Sequence, residues 1–351
     1  MMARITIREI AEKAGVSVTS VSFAFNNPSR LPEATVQRIL EVAEELGYIP
    51  DPVARSMSTG HTGTLGVLVP QPFTEIIRNP FLYEFLEGVA EVCTAAGYSL
   101  MIVPPLEGSV RRAIGVAAVD GFLTLGLELF KSTMVVLSQR EVPFVMVDGD
   151  PIEGVPAVNV DDVSGARAVM AYVLKAGHRD ITILGIRSGK DGRYQEYTGT
   201  LRRRMEGYLS ALASFNLELD QRRIQLIECS STISGGQDGF RQLWKKKNPP
   251  TAVVAMSDVI AIGVIYAAMQ KRIKVPEDLS VVGFDDISIS KLINPALTTV
   301  SQPIQQKGKL AAELLVKCIE GECGLSHSTL NTKLIVRASV SPPAIEKIVN
   351  S

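Results

Sequence analysis

Apolar residues recur along this chain with two different periods, and the change from one to the other falls near residue 63. Up to about residue 50 the spacing is helical: Ile7, Ile10, Ala11 and Ala14 form one stripe, and Val36, Ile39, Leu40, Ala43 and Leu46 form another. Thr6, with Glu9 three residues on, has the pattern of a capping box, and Gly15 ends that first helix. Ser17 caps a second helix from Val18 to about Phe25, which Asn26-Asn27-Pro28 stops; a third begins around Pro32 and closes at Gly47. Beyond residue 63 the apolar positions gather into short runs, TLGVLV, YSLMIV, GFLTLG, PFVMVD, ITILGI, TAVVAM and LSVVGF, each too short for a core helix. Amphipathic stretches such as FLYEFLEGVAEVCTAAG and GARAVMAYVLKAG separate most of them. Strands alternating with helices predict parallel sheets covered on both faces, with enough units for two sheets and with ligands at the carboxyl ends of the strands.

The second helix is the anomaly. VSVTSVSFAFNN is built from small and β-branched residues that are poor helix formers. Three helices with a tight glycine turn between the first two form a helix-turn-helix pattern, whose second helix enters the DNA major groove. Small side chains at its start let the backbone approach the base edges, while packing on its neighbours supplies the stability. The pattern alone leaves a second reading open, a three-helix bundle that serves protein contacts.

A length of 351 residues allows two or three domains. The net charge of -1 speaks against a polyelectrolyte coat on nucleic acid, though not against local DNA contact. MMARITIREIAEK alternates charge without an apolar signal core, and no stretch is apolar for long enough to cross a bilayer, so a cytoplasmic protein with no membrane partner is expected. Cys93, Cys229, Cys318 and Cys323 form no CxxC pair; with only His61, His178 and His327 beside them, no metal site is expected and the thiols are read as reduced. No GxxxxGK[ST], HExxH, GxSxG or glycine-rich dinucleotide fingerprint occurs, so no cofactor is expected. Asp148 and Asp150 are spaced like a catalytic carboxylate pair, but nothing nearby supplies a nucleophile or metal ligands, which argues against an enzyme.

TIREIAEKAGVSVTSVSFAFNN followed by ATVQRILEVAEELGYIPDPVARSM resembles the DNA-binding head and hinge of the lactose-repressor/galactose-repressor family of bacterial transcription regulators. The similarity continues in order through VDGFLTLG, VPFVMVDGD, LKAGHRDITILG, PPTAVVAMSD, KVPEDLSVVGFDDI and NPALTTVSQP. It implies an α/β fold: a three-helix head, then a type I periplasmic-binding-protein-like effector domain of two doubly wound subdomains joined by three crossovers. On that basis 1–50 is the head and 51–63 the hinge. The first subdomain takes 64–177 with 302–331, and the second takes 178–301 with 332–351. The resemblance also implies a homodimer on a pseudo-palindromic operator, most simply a repressor under the control of a sugar or sugar derivative. An activator, or a regulator answering to nucleosides or purines, is the alternative within the family.

By resemblance Val18, Thr19 and Phe23 are the base readers, where relatives often carry Arg or His in place of Phe23. Val and Phe pack on thymine methyls and cannot make the bidentate guanine contact of Arg, which predicts A·T pairs in the half-site. An inward-turned Phe23, part of the bundle core, is the alternative. Arg4, Arg8, Arg30, Arg38 and Arg55 are offset by Glu9, Glu12, Glu33, Glu41, Glu44, Glu45 and Asp51. Phosphate contact then relies on helix N-termini and on the hydroxyls of Thr6, Ser17, Thr19, Ser20 and Ser22 as much as on charge, with Asn26 completing the DNA-facing set, and a shallow salt dependence is expected. In the hinge, Ala54, Arg55 and Met57 match the segment that folds on operator DNA, with Met57 at the position of the apolar wedge; an ordinary linker is the alternative. The effector set by resemblance is Phe81, Asp161, Arg204, Ser257, Asp285 and Gln302. An Arg and an Asp facing one cleft suit a polyhydroxylated ligand. Arg202 to Arg204 as a solvated helix face, and Asp285-Asp286 as a cap, are the alternatives. QPFTEIIRNPF is longer and PPLEGSVRRAIGVAAVDG shorter than the family's usual segments, so effector identity does not carry over. No heptad tail follows RASVSPPAIEKIVNS, so no C-terminal coiled coil is expected to make tetramers. A transporter's solute-binding protein would share the larger domain but not the head.

Overall fold

The computed structural model describes residues 5–126, 131–188, 193–220, 222–324 and 326–343. Residues up to Thr64, together with Ala118–Asp120, form one compact unit, and the remainder forms another. The first unit holds α1 (Ile7–Ala14), α2 (Val18–Asn26), α3 (Glu33–Glu45) and α4 (Pro52–Thr59). Glu9 accepts from the Thr6 backbone N–H at 2.7 Å and from its hydroxyl at 2.9 Å, and Ser17 Oγ accepts from the Ser20 N–H at 3.1 Å. Both caps are those the sequence predicts. Ile10, Ala11, Ala14, Val21, Ala24, Ile39 and Ala43 make the core of this unit, small side chains that let three short helices close on one another.

In the second unit the elements run β1 (Thr64–Leu68), α5 (Phe73–Ile76), α6 (Pro80–Ala96), β2 (Ser99–Val103), α7 (Val110–Val116), β3 (Gly121–Leu125), α8 (Lys131–Gln139), β4 (Phe144–Val147), β5 (Ala157–Val160), α9 (Asp162–Lys175) and β6 (Ile181–Ile186). They continue with α10 (Gly199–Ser214), β7 (Ile224–Cys229), α11 (Ile233–Leu243), β8 (Ala252–Ala255), α12 (Asp258–Gln270), β9 (Ser280–Asp285), β10 (Thr298–Ser301), α13 (Ile304–Ile319), β11 (His327–Leu330) and β12 (Lys333–Ile335). Two sheets result, in the orders β11-β5-β4-β3-β1-β2 and β12-β10-β9-β8-β6-β7. The described pairings are parallel except that of β10 with β12. Strand order reverses at β1 in one sheet and at β6 in the other, and a crevice for a ligand opens at such points.

The chain crosses between the sheets after β5, after β10 and between β11 and β12. The first crossing moves the subdomain boundary. The sequence places 162–177 with the first sheet, but α9 packs in the core of the second, where Val169, Met170, Val173 and Leu174 meet Ile181, Tyr208, Leu212 and Phe284. The reason lies in two glycines. A Cβ on Gly207 would run into the Val163 carbonyl, and one on Gly165 into Thr332 and Val300, so only glycine lets α9 close onto α10 and the second sheet. The helix after the second crossing behaves as expected: α13 packs on β3, β4 and β5 of the first sheet and on α6, with Ile304, Ala311, Ala312 and Leu315 in that core.

The thiols differ from expectation as well. Cys318, in the last turn of α13, is joined to Cys323 in the exposed turn that follows, while Cys93 and Cys229 stay free and buried. The turn at Gly321, with its positive φ of 85°, folds the chain back and brings two sulfurs five residues apart into contact; a search for CxxC spacing passes over such a pair. The long segment after β1 contributes the single turn α5, and the short one after β2 contributes α7, capped by Ser109. Arg4, counted above in the charge balance of the head, and the tail 344–351, placed above in the second subdomain, lie outside the described residues. Among the described residues no helix is long and apolar enough to cross a membrane, and no group of His, Cys, Asp and Glu is placed to hold a metal ion.

Candidate DNA-reading face and ligand cavity

On α2 the helical repeat sorts the residues cleanly. Val21 and Ala24 point into the head's core, whereas Ser17, Val18 and Thr19 are exposed and Ser20, Ser22, Phe23 and Asn26 half-exposed. Asn26 Nδ2 donates to Ser22 Oγ at 3.4 Å along the same face. The inward phenylalanine is Phe25, whose ring lies 5.6 Å from that of Tyr48; Phe23 is not part of that cluster and instead carries the Arg30 guanidinium 5.2 Å over its ring. Thr6 is exposed at the start of α1. The face thus presents two apolar side chains, a row of hydroxyls and one flanking cation.

The hinge segment is a helix with no buried residue. Asp51 accepts from the backbone N–H groups of Val53 at 2.9 Å and Ala54 at 3.3 Å, Pro52 fills the first turn, and Gly60 in the left-handed region ends it. Ala54 and Arg55 are exposed, and Met57 is 84% exposed, an apolar side chain with nothing of its own unit to cover it. Past the helix, Asp120 accepts from Thr62 N–H at 2.6 Å, Thr62 Oγ1 at 2.8 Å and Gly63 N–H at 2.9 Å.

A cavity of about 570 Å³ opens at the carboxyl ends of the strands of both sheets. Of the effector residues read from the sequence, Phe81, Arg204, Ser257 and Asp285 line it; Asp161 and Gln302 do not. Asp161 sits at a crossover, where its carboxylate caps α9 by accepting from Ser164 N–H at 3.0 Å and its carbonyl accepts from Thr332 Oγ1 at 2.9 Å. Gln302, at the next crossover, is buried behind the cavity wall and donates from Nε2 to Asp285 Oδ1 at 2.6 Å. In the remaining wall apolar side chains such as Ile76, Leu125, Met146, Ile186 and Leu201 alternate with polar ones, among them Asn79, Asp150, Arg187 and Glu196.

Arg204 is no solvated face. Its guanidinium is buried, donates from Nε to Asp162 Oδ1 at 3.0 Å, from one terminal nitrogen to the Met256 carbonyl and from the other to Asp285 Oδ1 at 3.4 Å, and stacks 3.7 Å from the centre of the Phe284 ring. Burial works against its charge, and Asp162 and Asp285 more than compensate, holding its pKa above the ordinary arginine value. Its neighbours diverge: Arg203 binds Asp162 Oδ2 at 3.0 Å, and Arg202 reaches Asp150 Oδ1 at 2.8 Å near the cavity rim. Asp285 is no cap either. Burial and the nearby Asp258 push its carboxyl up to about 7 against the pull of Arg204, Gln302 and Lys307. Its backbone sits at φ 132° and that of Asp286 at φ 60°, a strained pair that Arg337 steadies by donating to Asp286 Oδ1 at 2.6 Å. Ser257 Oγ lies 3.3 Å from Ser231 Oγ, leaving both hydroxyls able to serve a ligand.

Other cavity groups escaped the sequence reading. Asp148, considered only as half of a catalytic pair, follows β4 at φ 61°; Oδ2 accepts from Lys307 Nζ at 2.6 Å, and Oδ1 is buried with no partner among the described residues. Tyr197, also lining, donates to Glu228 Oε1 at 2.6 Å, which with burial holds its phenol above the usual tyrosine range. Lys307 was legible in principle, because Ile304, Lys307, Ala311 and Leu315 fall at helical spacing, which puts a lysine on the buried stripe of α13.

Residues 6–51 match the model of the family described as bacterial regulatory proteins, lacI family, and residues 170–340 match the periplasmic binding protein-like domain. The HTH-type transcriptional repressor CytR of Escherichia coli K12 is 31% identical over 343 residues, covering 95% of this chain and 96% of that protein. The HTH-type transcriptional repressor PurR of Photobacterium profundum is 29% identical, covering 95% of this chain and 98% of its own. Among solved structures, the complex of transcriptional regulator CelR with cellobiose is 27% identical with a TM-score of 0.68, over 96% of this chain and all of that one. A lacI-family regulator of Enterococcus faecium with bound ribose is 25% identical with a TM-score of 0.69, over 80% of this chain and all of that one. The lac repressor dimer on operator, 21% identical with a TM-score of 0.79 over 97% of this chain and all of that one, shares the fold. A near-full-length likeness of this kind, carried by both the head and the larger domain, places the chain in the lacI family of bacterial regulatory proteins: it is a DNA-binding regulator of transcription and not an enzyme.

Proposed function

We propose that this protein is a cytoplasmic homodimeric repressor that binds a pseudo-palindromic operator through α2 and the hinge helix α4, and that a carbohydrate or carbohydrate derivative in the cavity sets its operator affinity. The observation that carries the reading is the cavity itself. It lies where two sheets present the carboxyl ends of their strands, and carboxylates, amides, hydroxyls and the guanidiniums of Arg187 and Arg204 alternate with apolar side chains in its wall. Polyhydroxylated ligands suit such a wall, since their C–H faces pack on apolar side chains while their hydroxyls donate to acceptors such as Asp148 Oδ1. Two relatives in structure hold cellobiose and ribose. Phe81 in the wall favours a second reading, a nucleoside whose base stacks on that ring.

Dimer formation has support in exposed apolar side chains on the second subdomain, among them Tyr266 and Met269, one turn apart on α12, and Leu292, 77% exposed. On DNA, two copies of α4 would bring two Met57 side chains to the operator centre. Ligand-driven reorientation of the subdomains then changes the spacing of the paired hinge helices, and the match to two half-sites is lost or gained. Thermal stabilisation against a panel of sugars, sugar phosphates, nucleosides and purines tests the reading: a sugar at 100 times its dissociation constant stabilises by about 2.7 kcal/mol. A panel in which purines alone raise the melting point overturns the carbohydrate assignment.

A further inference from the structure

Lys307 is an odd occupant for its position. It is fully buried, and α13 is drawn onto α6 so closely around it that a Cβ on Gly88 or Gly308 would strike the facing backbone. An ammonium without water must find partners, and this one has three: Asp148 Oδ2 at 2.6 Å, Gln302 Oε1 at 2.7 Å and the Phe81 ring, 4.8 Å from Nζ to its centre. Two of these line the cavity, Asp148 and Phe81. The bond to the third, Gln302, decides which way round that amide sits. Because its oxygen accepts from Lys307, its amide N–H is turned to Asp285 Oδ1 at 2.6 Å, shorter than the 3.4 Å bond from Arg204 to that same atom. Asp148, Lys307 and Phe81 belong to the first subdomain, Asp285 and Arg204 to the second, and Gln302 to the crossover between them.

We propose that Lys307 is a positioning residue that ties the cavity floor of the first subdomain to the Asp285–Arg204 pair of the second, through the amide of Gln302. Remove the ammonium and the amide is free to turn its oxygen toward Asp285, replacing attraction by repulsion across the crossover. Asp148 gives the tie its input. One carboxylate oxygen is spent on Lys307 and the other is buried with no partner among the described residues, in a residue that lines the cavity, so a ligand hydroxyl that reaches Oδ1 draws negative charge from the Lys307 bond. This input rests on the ligand reading above, whereas the tie itself does not.

Amide hydrogen exchange of the full chain, without any ligand, tests the tie. Lys307→Met keeps the stem and removes the charge, Asp148→Asn removes the partner's charge, and Gln302→Leu cuts the link while leaving α6 and α13 intact. In each variant we expect exchange at the carboxyl end of β9 and at the 301–304 crossover to accelerate at least tenfold, with β6, β8 and α12 unchanged. A lysine that merely fills α13 gives a different result: Lys307→Met accelerates α6 and α13 alone, and Gln302→Leu or Asp148→Asn leaves β9 as in the unsubstituted protein. That result overturns the proposal. Should Lys307→Met fail to fold, the other two variants decide between the same outcomes. Failure of the sugar reading appears separately, in the thermal panel.

Discussion

Phe23 and Phe25 stand two positions apart on one short helix and do opposite things, one meeting the Arg30 guanidinium at the surface and the other packing at a tilt on Tyr48 within the head. An aromatic ring at the surface of a reading helix packs on thymine methyls and offers no donor to guanine. Selection of bound DNA from a random library should therefore return A·T at the base pair beneath Phe23, and an obligatory guanine there would contradict the assignment. Asp285 makes a second residue-scale prediction. Its carboxyl is raised to about 7 in the fold from an ordinary 3.8, so the stability it contributes is fully present below about pH 4 and is lost as the pH climbs through 7. Comparing urea denaturation of the protein and of Asp285→Asn between pH 5 and 8, we expect the protein to lose ground to the variant as pH rises; a gap that is constant with pH counts against a raised carboxyl. Arg204 was legible only by resemblance. What burial adds is that each of its three nitrogens already donates once, to Asp162, Met256 and Asp285, so it shapes the wall as much as it greets a ligand.

Elements were easier to read than their alliances. The capped helices of the head, and the seven apolar runs, appear as α1, α2, α3, β1, β2, β3, β4, β6, β8 and β9. The strands β5, β7, β10, β11 and β12 went unread because AVNV, IQLIEC, TTVS, HSTL and KLI are short, or carry polar residues that the edge and crossover positions tolerate. Nor does α9 announce its partners: its glycine at 165 reads as a weakness until Thr332 and Val300 are seen close against it, and Gly207 until α9 is seen closing on α10. Gly207→Ala forces that contact apart, and we expect it to lower stability by about 1–3 kcal/mol, measurable by chemical denaturation; a neutral effect would mean that the helices separate freely. The hinge helix poses the converse problem. Eight residues burying nothing fall short of the roughly 12–15 at which isolated helices become even marginal in water, so α4 depends on its cap and on what it meets outside its unit. Asp51→Ala removes a cap worth about 1 kcal/mol, which corresponds to roughly a fivefold loss of operator affinity if α4 must be helical on DNA. Ligand-induced thermal stabilisation should be unchanged in that variant, and an unchanged operator affinity would return α4 to the status of a linker.

At the scale of the whole molecule the sequence carries the architecture because it is repetitive: strand follows helix, and a change of period marks where the head ends. It carries the coupling poorly, since Asp148, Gln302, Lys307 and Asp285 lie up to 159 residues apart along the chain and meet only when two sheets and a crossover are folded. The central claim, that occupancy of the cavity governs DNA binding, is tested most directly by titrating operator DNA, selected from a random pool, with the full chain in the presence and absence of the ligand found in the thermal panel. Residues 64–351 are titrated alongside. The account predicts an affinity change of roughly 5- to 150-fold for the full chain, matched by an equal change in ligand affinity when operator is bound, and ligand binding without DNA binding for the shorter chain. An operator affinity that stays the same with the cavity saturated would contradict it.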